Sequence, residues 1–416
     1  MTIIYLHQYF NTPEMSGGTR SYEMARRFVA NGHKVHMITS WRGVDKGDDW
    51  FETSEKGIIV HWIPVPYSNH MGYYKRIKSF FLYAYKAAKR TLDLDGDIIF
   101  ATSTPLTIAF PAVYASRRLK IPLVFEVRDL WPEIPVAIGA IRNPLLKWLS
   151  RRLEKFAYNN SEAVVALSAG MRNGIVKTGY MYDRVAIIPN SSDNKFFNTD
   201  KNYSKLFREQ RYWLNDRPLL LYAGTFGKIN GLGYLVKLAK YLKIISPEIR
   251  ILAVGDGIER DMIFKEASSA KVLNDNFFIE NSVSKSQMPL LFSAADISIS
   301  LTIDLPVLHA NSANKFFDSL ASGTPIFLNY GGWQADLVNS YECGVVGWRK
   351  PISEVAEIIS DKIQDRNWLK NAGENARRLA EDKFDRDELA SQLEEVLIAA
   401  SNKDGQKARS IAAGDF

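Results

Sequence analysis

The residues with the clearest potential for chemistry are small or cationic residues that follow apolar runs. Gly17 and Gly18 stand in EMSGGTRSYEMARR, where a loop meets a predicted helix. Backbone N–H groups at a helix N-terminus attract anions, and a missing side chain lets a phosphate come close. The loop lacks the GxGxxG dinucleotide fingerprint. A phosphate contact and a plain turn before a helix therefore both stay open.

The second half of the chain repeats this pattern after two further apolar runs. YAGTFGKINGLGYL carries Lys228 and Asn230, and VGDGIERD carries Gly255 and Gly257. A single glycine-rich turn after a strand is common and is by itself weak evidence of a binding site. Three such turns in two opposed domains can line one cleft, so we expect these four residues to contact an anionic ligand.

The stretch ANSANKFFDSLASGTPIFL is the most specific of the chain. Lys315 and Asp318 are three residues apart, so they share one face of the predicted helix. A lysine can hold a phosphate as a point charge, and a carboxylate can accept hydrogen bonds from ribose hydroxyls. The alternative is an ordinary ion pair on the helix surface.

A cluster of polar and aromatic side chains follows another predicted strand, in FEVRDLWPEIP. It consists of Arg128, Asp129, Trp131 and Glu133. Side chains at the ends of parallel strands commonly face the ligand of an α/β domain. The alternative is a loop ion pair beside a half-buried tryptophan.

The sequence offers little to a metal ion. Asp93 and Asp95 have the DxD spacing, but they precede a strand, at the end of the sheet opposite the expected site. The six histidines form neither an HxxxH nor an HExxH pair, and the single Cys343 excludes a cysteine zinc cluster. We therefore expect neither a metal nor another cofactor.

Residues 73–90, YYKRIKSFFLYAYKAAKR, differ in character from the rest of the chain. They combine cations at near-helical spacing with aromatic side chains, a composition that suits a helix lying on an anionic bilayer. The alternative is an ordinary domain helix with a solvated basic face. The expected membrane contacts are Lys75, Arg76, Lys78, Phe81, Lys86 and Lys89.

The elements that must position these residues alternate between strands and helices. TIIYLH, KVHMITS, DIIFAT, PLVFEVRD, AVVALS and RVAIIPN read as strands, and a second series begins near residue 210 with PLLLYAG and RILAVGDG. This alternation predicts an α/β fold with two Rossmann-like domains whose parallel sheets face each other across a cleft. We expect domains at 1–200 and 201–400, with the last helix able to pack back on the first domain, and a disordered tail at 401–416. The polar stretch NSSDNKFFNTDKNYSKLF, which lacks a strong period, reads as the linker between the domains.

Composition limits the classes of function. The chain has 416 residues and a formal net charge of +7, which suits an anionic ligand or a membrane surface and does not indicate nucleic acid. One cysteine suits a reducing, cytoplasmic compartment. We expect no signal peptide, and no apolar run reaches the roughly 18 residues of a membrane-spanning helix.

Several of these stretches together resemble a known family. YLHQYFNTPEMSGGTRSYEMARRF, ATSTPLTIAFPA, FEVRDLWPE, IIPNSSD, AGTFGKINGL, VGDG and NKFFDSLASGTP are similar to those of bacterial retaining glycosyltransferases of family four, which have the GT-B fold. The first-half motifs resemble the WbuB-like subgroup, which includes the L-fucosamine transferase of O-antigen assembly. The resemblance runs from residue 1 to about residue 400.

The resemblance implies a nucleotide-diphosphate sugar held mainly by the second domain, with the glycine pair across the cleft. The chain departs from the family at three places. Thr225 and Asn230 replace an arginine and a lysine, and Ala310 replaces the first acid of the E-x7-E motif, of which Asp318 is the second. Arg128 takes the place of a frequent cleft histidine.

The resemblance further implies transfer of an N-acetylated deoxyhexosamine from a UDP-sugar to a polyprenyl-diphosphate-linked saccharide. Arg128 and Asp129 would then be catalytic, and Trp131 and Glu133 would bind the acceptor. Two other functions stay open: a UDP-sugar 2-epimerase of the same fold, and a non-catalytic module that binds a sugar or a lipid head.

Overall fold

The first half of the chain forms an eight-stranded sheet. In the computed structural model, which describes residues 1–43, 46–67, 71–191, 193–198 and 202–414, its strand order is β3-β4-β2-β1-β5-β6-β7-β8. All neighbouring strands are parallel except β3 and β4, which form an antiparallel pair at the edge. The strands are β1 Thr2–Leu6, β2 Lys34–Trp41, β3 Phe51–Glu55, β4 Ile58–Pro64, β5 Ile98–Thr102, β6 Leu123–Val127, β7 Ala163–Ala166 and β8 Val185–Ile187.

Helices follow most of these strands and cover both faces of the sheet with apolar side chains. They are α1 Arg20–Ala30, α2 Tyr73–Leu92, α3 Ala109–Leu119, α4 Glu133–Ala137, α5 Pro144–Asn159 and α6 Ala169–Lys177.

The second half forms a six-stranded, fully parallel sheet in the order β11-β10-β9-β12-β13-β14. Its strands are β9 Leu219–Ala223, β10 Arg250–Val254, β11 Phe277–Glu280, β12 Ile297–Ser300, β13 Ile326–Leu328 and β14 Gly344–Val346. The helices of the remaining chain are α7 Asn194–Phe197, α8 Asn202–Glu209, α9 Gly233–Ile245, α10 Arg260–Ser269, α11 Met288–Ala294, α12 Asn314–Ser322, α13 Trp333–Ser340, α14 Ile352–Gln364, α15 Arg366–Lys383, α16 Arg386–Ser401 and α17 Ala408–Ile411.

The predicted α/β class with two Rossmann-like parallel sheets is confirmed. The sequence analysis missed the edge pair β3 and β4 and the short strand β14. The sequence of β3 is FETSE, and its side chains are half-buried or exposed, so no apolar run marks it. Strand β14 has only three residues, GVV, and is too short to show a period.

Two stretches that the sequence analysis took as unstructured are ordered. The expected linker contains α7 and α8, whose Phe197 and Phe207 are buried in an apolar cluster of the second sheet. The expected tail forms α17, and Ala408 and Ala412 are buried against the first sheet. Small residues looked like a frayed end, but their size lets the backbone come close: Ile187 N donates to Ala412 O at 2.8 Å.

Helix α16 crosses back from the second half and completes the core of the first. Leu389, Leu393 and Leu397 are buried in the same apolar cluster as Tyr5 and Phe100. The last long helix therefore packs on the first domain, as its sequence position allowed.

Candidate active site between the two sheets

A cleft of about 840 Å³ lies between the two domains. It is lined largely by loops that follow parallel strands, as expected for open α/β sheets. From the first domain these loops contribute His7, Thr104, Arg128 and Asn190, and from the second they contribute Asn230, Thr302 and Tyr330.

The first-domain wall carries a cation, an imidazole and a carboxyl group. Arg128 Nη1 donates to His7 Nε2 at 3.4 Å, and the Arg128 backbone N donates to Ser103 Oγ at 3.1 Å. Burial and the neighbouring Arg128 charge lower the pKa of His7 well below its usual range, so this imidazole is neutral. Burial raises the pKa of Asp129, which accepts a hydrogen bond from Thr104 Oγ1 at 3.3 Å.

The second-domain wall carries Lys315, in the first turn of α12. Its Nζ donates to Asn230 Oδ1 at 3.3 Å and lies 5.1 Å from the centre of the Tyr222 ring. Burial lowers the pKa of Lys315 to about 8, so the amine is still largely charged at neutral pH. Among the described residues no side chain caps the N-terminus of α12. This wall therefore offers a positive charge and a helix N-terminus to an anion.

The glycine pair divides into two roles. Gly18 lines the cleft, and a Cβ there would lie 3.0 Å from Asn314 Nδ2 and 3.7 Å from Arg128 Nη2. Gly17 lies outside the cleft lining and has φ of +120°, a conformation that other residues rarely adopt. Its turn is held by Asn11, whose Nδ2 donates to Gly18 O at 3.2 Å. Gly18 thus lets the two domains approach closely, and Gly17 allows the backbone conformation of the turn.

Several buried polar atoms of the cleft lack a hydrogen-bond partner within the described part of the chain. Two belong to side-chain amides that the protein holds at their other end. Gln334 Oε1 accepts from Tyr330 Oη at 2.9 Å, which leaves Nε2 without a partner, and Asn190 Nδ2 donates to Ser312 O at 2.6 Å, which leaves Oδ1 without one. His7 Nδ1 and Thr302 Oγ1 are likewise unpartnered. Because such atoms are costly to bury, the cleft suits a ligand with several hydrogen-bonding groups.

The cleft brings together Arg128, Lys228 and Lys315, the three cations that the sequence predicts for the donor site or for catalysis. The predicted residues that line it are Gly18, Arg128, Asp129, Trp131, Lys228, Asn230 and Lys315. The predicted residues that lie outside its lining are Gly17, Glu133, Gly255, Gly257 and Asp318.

The two glycines of VGDG lie outside the cleft lining and have a packing role. A Cβ on Gly255 would lie 1.9 Å from Gly224 O, and one on Gly257 would lie 2.5 Å from Phe226 O. These glycines therefore let the loops after β9 and β10 touch.

Asp318 and Glu133 also lie outside the cleft lining, and each interacts with another residue. Both carboxylate oxygens of Asp318 accept from Lys285 Nζ at 2.7 Å, and the side chains of this pair are largely buried. The carboxylate is thus engaged by Lys285, although its charge still acts on Lys315. Glu133 is exposed on α4, where its charge adds to burial in raising the pKa of Glu154 to about 8.

Four of the cleft residues that were missed follow a strand closely. His7 comes directly after β1, Asn190 comes shortly after β8, and Thr302 and Tyr330 lie two residues beyond β12 and β13. The rule that strand ends face the ligand, applied to every predicted strand, would have found them. His7 also shows that Arg128 stands beside a cleft histidine.

The predicted membrane helix forms as α2. Lys75, Lys78, Phe81 and Lys89 are exposed, whereas Arg76 lines one end of the cleft. No helix in the described ranges is long and apolar enough to cross a membrane. The same ranges hold no group of three or more His, Cys, Asp or Glu side chains arranged to bind a metal ion.

Two protein families match consecutive parts of the chain. Residues 17–191 match the Glycosyl transferase 4-like domain, and residues 204–379 match the Glycosyl transferases group 1 family. Among characterised relatives, the alpha-D-kanosaminyltransferase of Streptomyces kanamyceticus is 23% identical over 291 residues, which cover 68% of this chain and 72% of that protein.

Solved structures show the same architecture. HepE from Anabaena, crystallised with UDP and glucose, superposes with a TM-score of 0.72 at 16% identity and covers 96% of this chain and 100% of that one. The sucrose-phosphate synthase of Thermosynechococcus elongatus superposes with a TM-score of 0.74 at 16% identity, covering 95% and 98%. At this identity the likeness establishes the fold.

Proposed function

We propose that this chain, which belongs to the GT-B glycosyltransferases built from a Glycosyl transferase 4-like domain and a group 1 domain, transfers a sugar from a UDP-sugar to a polyprenyl-diphosphate-linked saccharide. The sugar would be an N-acetylated deoxyhexosamine, as in the WbuB-like subgroup, and its anomeric configuration would be retained without a metal ion. The setting would be cell-surface polysaccharide assembly, O-antigen or capsule, at the inner face of the plasma membrane. The protein would be cytoplasmic and peripheral there, with α2 in contact with anionic lipid.

One observation carries this proposal: each domain places a cation in the same cleft. Arg128 comes from the first domain and Lys315 from the second, and Gly18 leaves space between them. Preorganised positive charge and free N–H groups stabilise a departing diphosphate in the transition state. Lys315 Nζ and the N-terminus of α12 would hold the phosphate oxygens.

The remaining chemistry needs few protein groups. The acceptor hydroxyl would approach the face from which the diphosphate departs, and a phosphate oxygen would accept its proton. Asp129, whose pKa is raised by burial, and Arg128 would orient the acceptor or the transferred sugar. No enzyme nucleophile is required by this route.

The unpartnered atoms of the cleft support an acetamido sugar as the transferred group. Gln334 Nε2 offers a hydrogen-bond donor and Asn190 Oδ1 offers an acceptor, both fixed by bonds at the other end of the amide. An acetamido group carries the complementary pair, one carbonyl and one N–H.

The proposed function is tested by measuring sugar transfer. Purified protein is incubated with a panel of UDP-sugars and polyprenyl-diphosphate-linked saccharides, and the products are identified by mass spectrometry. NMR of the product should show a retained anomeric configuration, and EDTA should leave the rate unchanged. An inverted linkage, or activity lost in EDTA and restored by Mg²⁺, would contradict the retaining, metal-free mechanism.

A second candidate, a UDP-sugar 2-epimerase, is favoured by one observation. The cleft holds a neutral imidazole, His7, and a carboxyl group with a raised pKa, Asp129, which are the acid and base groups that epimerisation needs. Omitting the acceptor separates the functions. An epimerase converts the donor sugar alone, a transferase needs acceptor for rapid nucleotide release, and a binding module releases no nucleotide in either case.

A further inference from the structure

Three neighbouring helices of the first domain expose large apolar side chains to solvent. Helices α2, α3 and α5 pack side by side, and together their outer surfaces form what we call the three-helix face. Its exposed apolar members include Phe81 and Tyr85 on α2, Tyr114 on α3, and Leu145, Trp148 and Leu149 on α5, each 45% to 61% exposed. Large apolar side chains that are exposed together on one surface mark an interaction site.

The apolar side chains belong to one continuous surface. The ring of Phe110 on α3 lies 5.9 Å from that of Phe81 on α2 and 6.3 Å from that of Phe156 on α5. On α5, Phe156 lies four and seven residues after Arg152 and Leu149, so all three fall on one stripe of the helix. The exposed end of α5 is therefore connected to α2 through neighbouring aromatic rings.

The same three helices carry charge of one sign. They contain twelve Lys and Arg residues and a single acidic residue, Glu154, which is buried. Several cations lie over the exposed rings: Lys89 is 4.5 Å from the Tyr85 ring, Arg118 is 5.6 Å from that of Tyr114, and Arg152 is 4.9 Å from that of Trp148. Apolar and aromatic side chains flanked by cations match the interface of an anionic bilayer.

The charge of the three-helix face also argues against a second copy of the chain as its binding partner. A two-fold dimer through this face would bring the same cations of both copies together, and the buried Glu154 is the single acidic residue within the three helices. Such like-charge contacts are repulsive. Anionic lipid phosphates complement the cations, and acyl chains accept the apolar side chains.

The three-helix face lies next to the cleft. Arg76, in the first turn of α2, lines the cleft, and so does Ile138, which lies shortly before α5 begins at Pro144. The three-helix face therefore borders the mouth of the cleft on the first-domain side.

We propose that the three-helix face docks on an anionic bilayer, with Leu145, Trp148 and Leu149 of α5 entering the interfacial layer. The docking extends the membrane contact beyond α2, and its use for delivering a lipid-linked acceptor to the cleft rests on the proposed function. The N-terminal half of α5 is the insertion element, and the cations of α2, α3 and α5 bind the lipid phosphates.

The experiment measures binding of the whole chain to vesicles. The variant L145S/W148S/L149S keeps every charge and is compared with I244S/M262S/F264S, three apolar residues of the second domain that are at least as exposed. Wild type and control should sediment with phosphatidylglycerol-containing vesicles and much less with pure phosphatidylcholine vesicles. The α5 variant should partition about tenfold or more weakly, since each buried apolar side chain contributes to insertion.

A second readout reports insertion without depending on affinity. Brominated lipid should quench part of the tryptophan fluorescence, and W148F should lose that part while still binding. Equal partitioning of the α5 variant and the control, or a wild-type dimer in light scattering that the α5 variant dissociates, would overturn the proposal. Transfer to a short water-soluble acceptor is measured in parallel: its absence in wild type refutes the proposed function and leaves the vesicle result intact.

Discussion

Gly18 and Asn314 face each other across the cleft so closely that a Cβ on Gly18 would lie 3.0 Å from Asn314 Nδ2. One residue ends the loop that leads to the first helix of the chain, and the other begins α12 in the second domain. The two domains meet here beside Arg128 and one residue before Lys315. A glycine at position 18 thus sets how far the cleft can close.

Gly18→Val should abolish or strongly reduce transfer while UDP binding weakens only modestly, because Lys315 and α12 lie in the other domain. The thermal midpoint should change little. The double variant Gly18→Val with Asn314→Ala should recover part of the activity, since it removes the side chain that the new Cβ meets. Full activity in the single variant would show that closure at this point is not needed.

A substitution at the neighbouring Gly17 is the comparison for Gly18→Val. Its φ of +120° makes any side chain strained, at a cost of roughly 1–3 kcal/mol. Gly17→Ala should therefore lower the free energy of unfolding in chemical denaturation and reduce activity mainly through stability. A fully stable Gly17→Ala protein would contradict this division of roles.

Lys315→Ala should weaken UDP binding by about tenfold to a hundredfold, since a charged hydrogen bond contributes roughly 1.5–3 kcal/mol. Isothermal titration calorimetry measures the change, and circular dichroism checks the fold. Lys240→Ala, at an exposed position of α9, is the matched control and should bind UDP as wild type does. Unchanged UDP affinity in a folded Lys315→Ala protein would remove Lys315 from the phosphate site.

Donor affinity should fall as the pH rises through about 8. Burial lowers the pKa of Lys315 to that value, and a diphosphate binds the protonated amine, so affinity is highest below pH 8 and declines above it. A UDP-sugar is the suitable ligand because its diphosphate does not titrate in this range. Lys315→Arg keeps its charge and should flatten the profile, whereas an equally steep profile in that variant would assign the titration to another group.

The Lys285–Asp318 pair should matter for stability and little for nucleotide binding. Lys285→Met leaves a buried carboxylate without its cation, which typically costs about 3–5 kcal/mol in the free energy of unfolding. Asp318→Asn should leave UDP affinity unchanged by calorimetry. A large loss of UDP affinity in a stable Asp318→Asn protein would instead support the ribose contact expected from the sequence.

Gln334→Leu should reduce affinity for the UDP-sugar more than affinity for UDP. The substitution removes the unpartnered Nε2 donor, and Tyr330 Oη, which loses its acceptor Gln334 Oε1, keeps Ser300 Oγ as a partner at 3.0 Å. We expect about a tenfold loss for the intact donor, the value of one or two hydrogen bonds. Competition binding with UDP and UDP-sugar measures the difference, and equal losses for both ligands would place Gln334 outside the sugar site.

The sequence predicts the scaffold well because buried parallel strands leave long apolar runs. It also predicts Arg128 and Lys315, since each is a cation close to a strand end or a helix start. Glycines are harder to interpret. Gly18 and Gly255 look alike in sequence, yet one opens onto the cleft and the other lets two loops touch, and only the spatial neighbours tell these roles apart.

Asp318 shows a second limit of sequence analysis. Helical spacing places it near Lys315, but its carboxylate is bound by Lys285, which lies 33 residues away in the chain. Pairing at such a distance leaves no local pattern. The orientation of Gln334 is similar, because it is set by Tyr330 and becomes meaningful only once the cleft surrounds it.

Helix α16 has a consequence for how the protein is made. Its leucines fill the core beneath the first sheet, so that core stays incomplete until residues 386–401 have left the ribosome. The domain that is synthesised first is therefore the one that finishes folding last. During translation an apolar groove beside α1, β5 and β6 stays exposed until α16 fills it, and exposed apolar surface of this kind makes a nascent chain prone to aggregate.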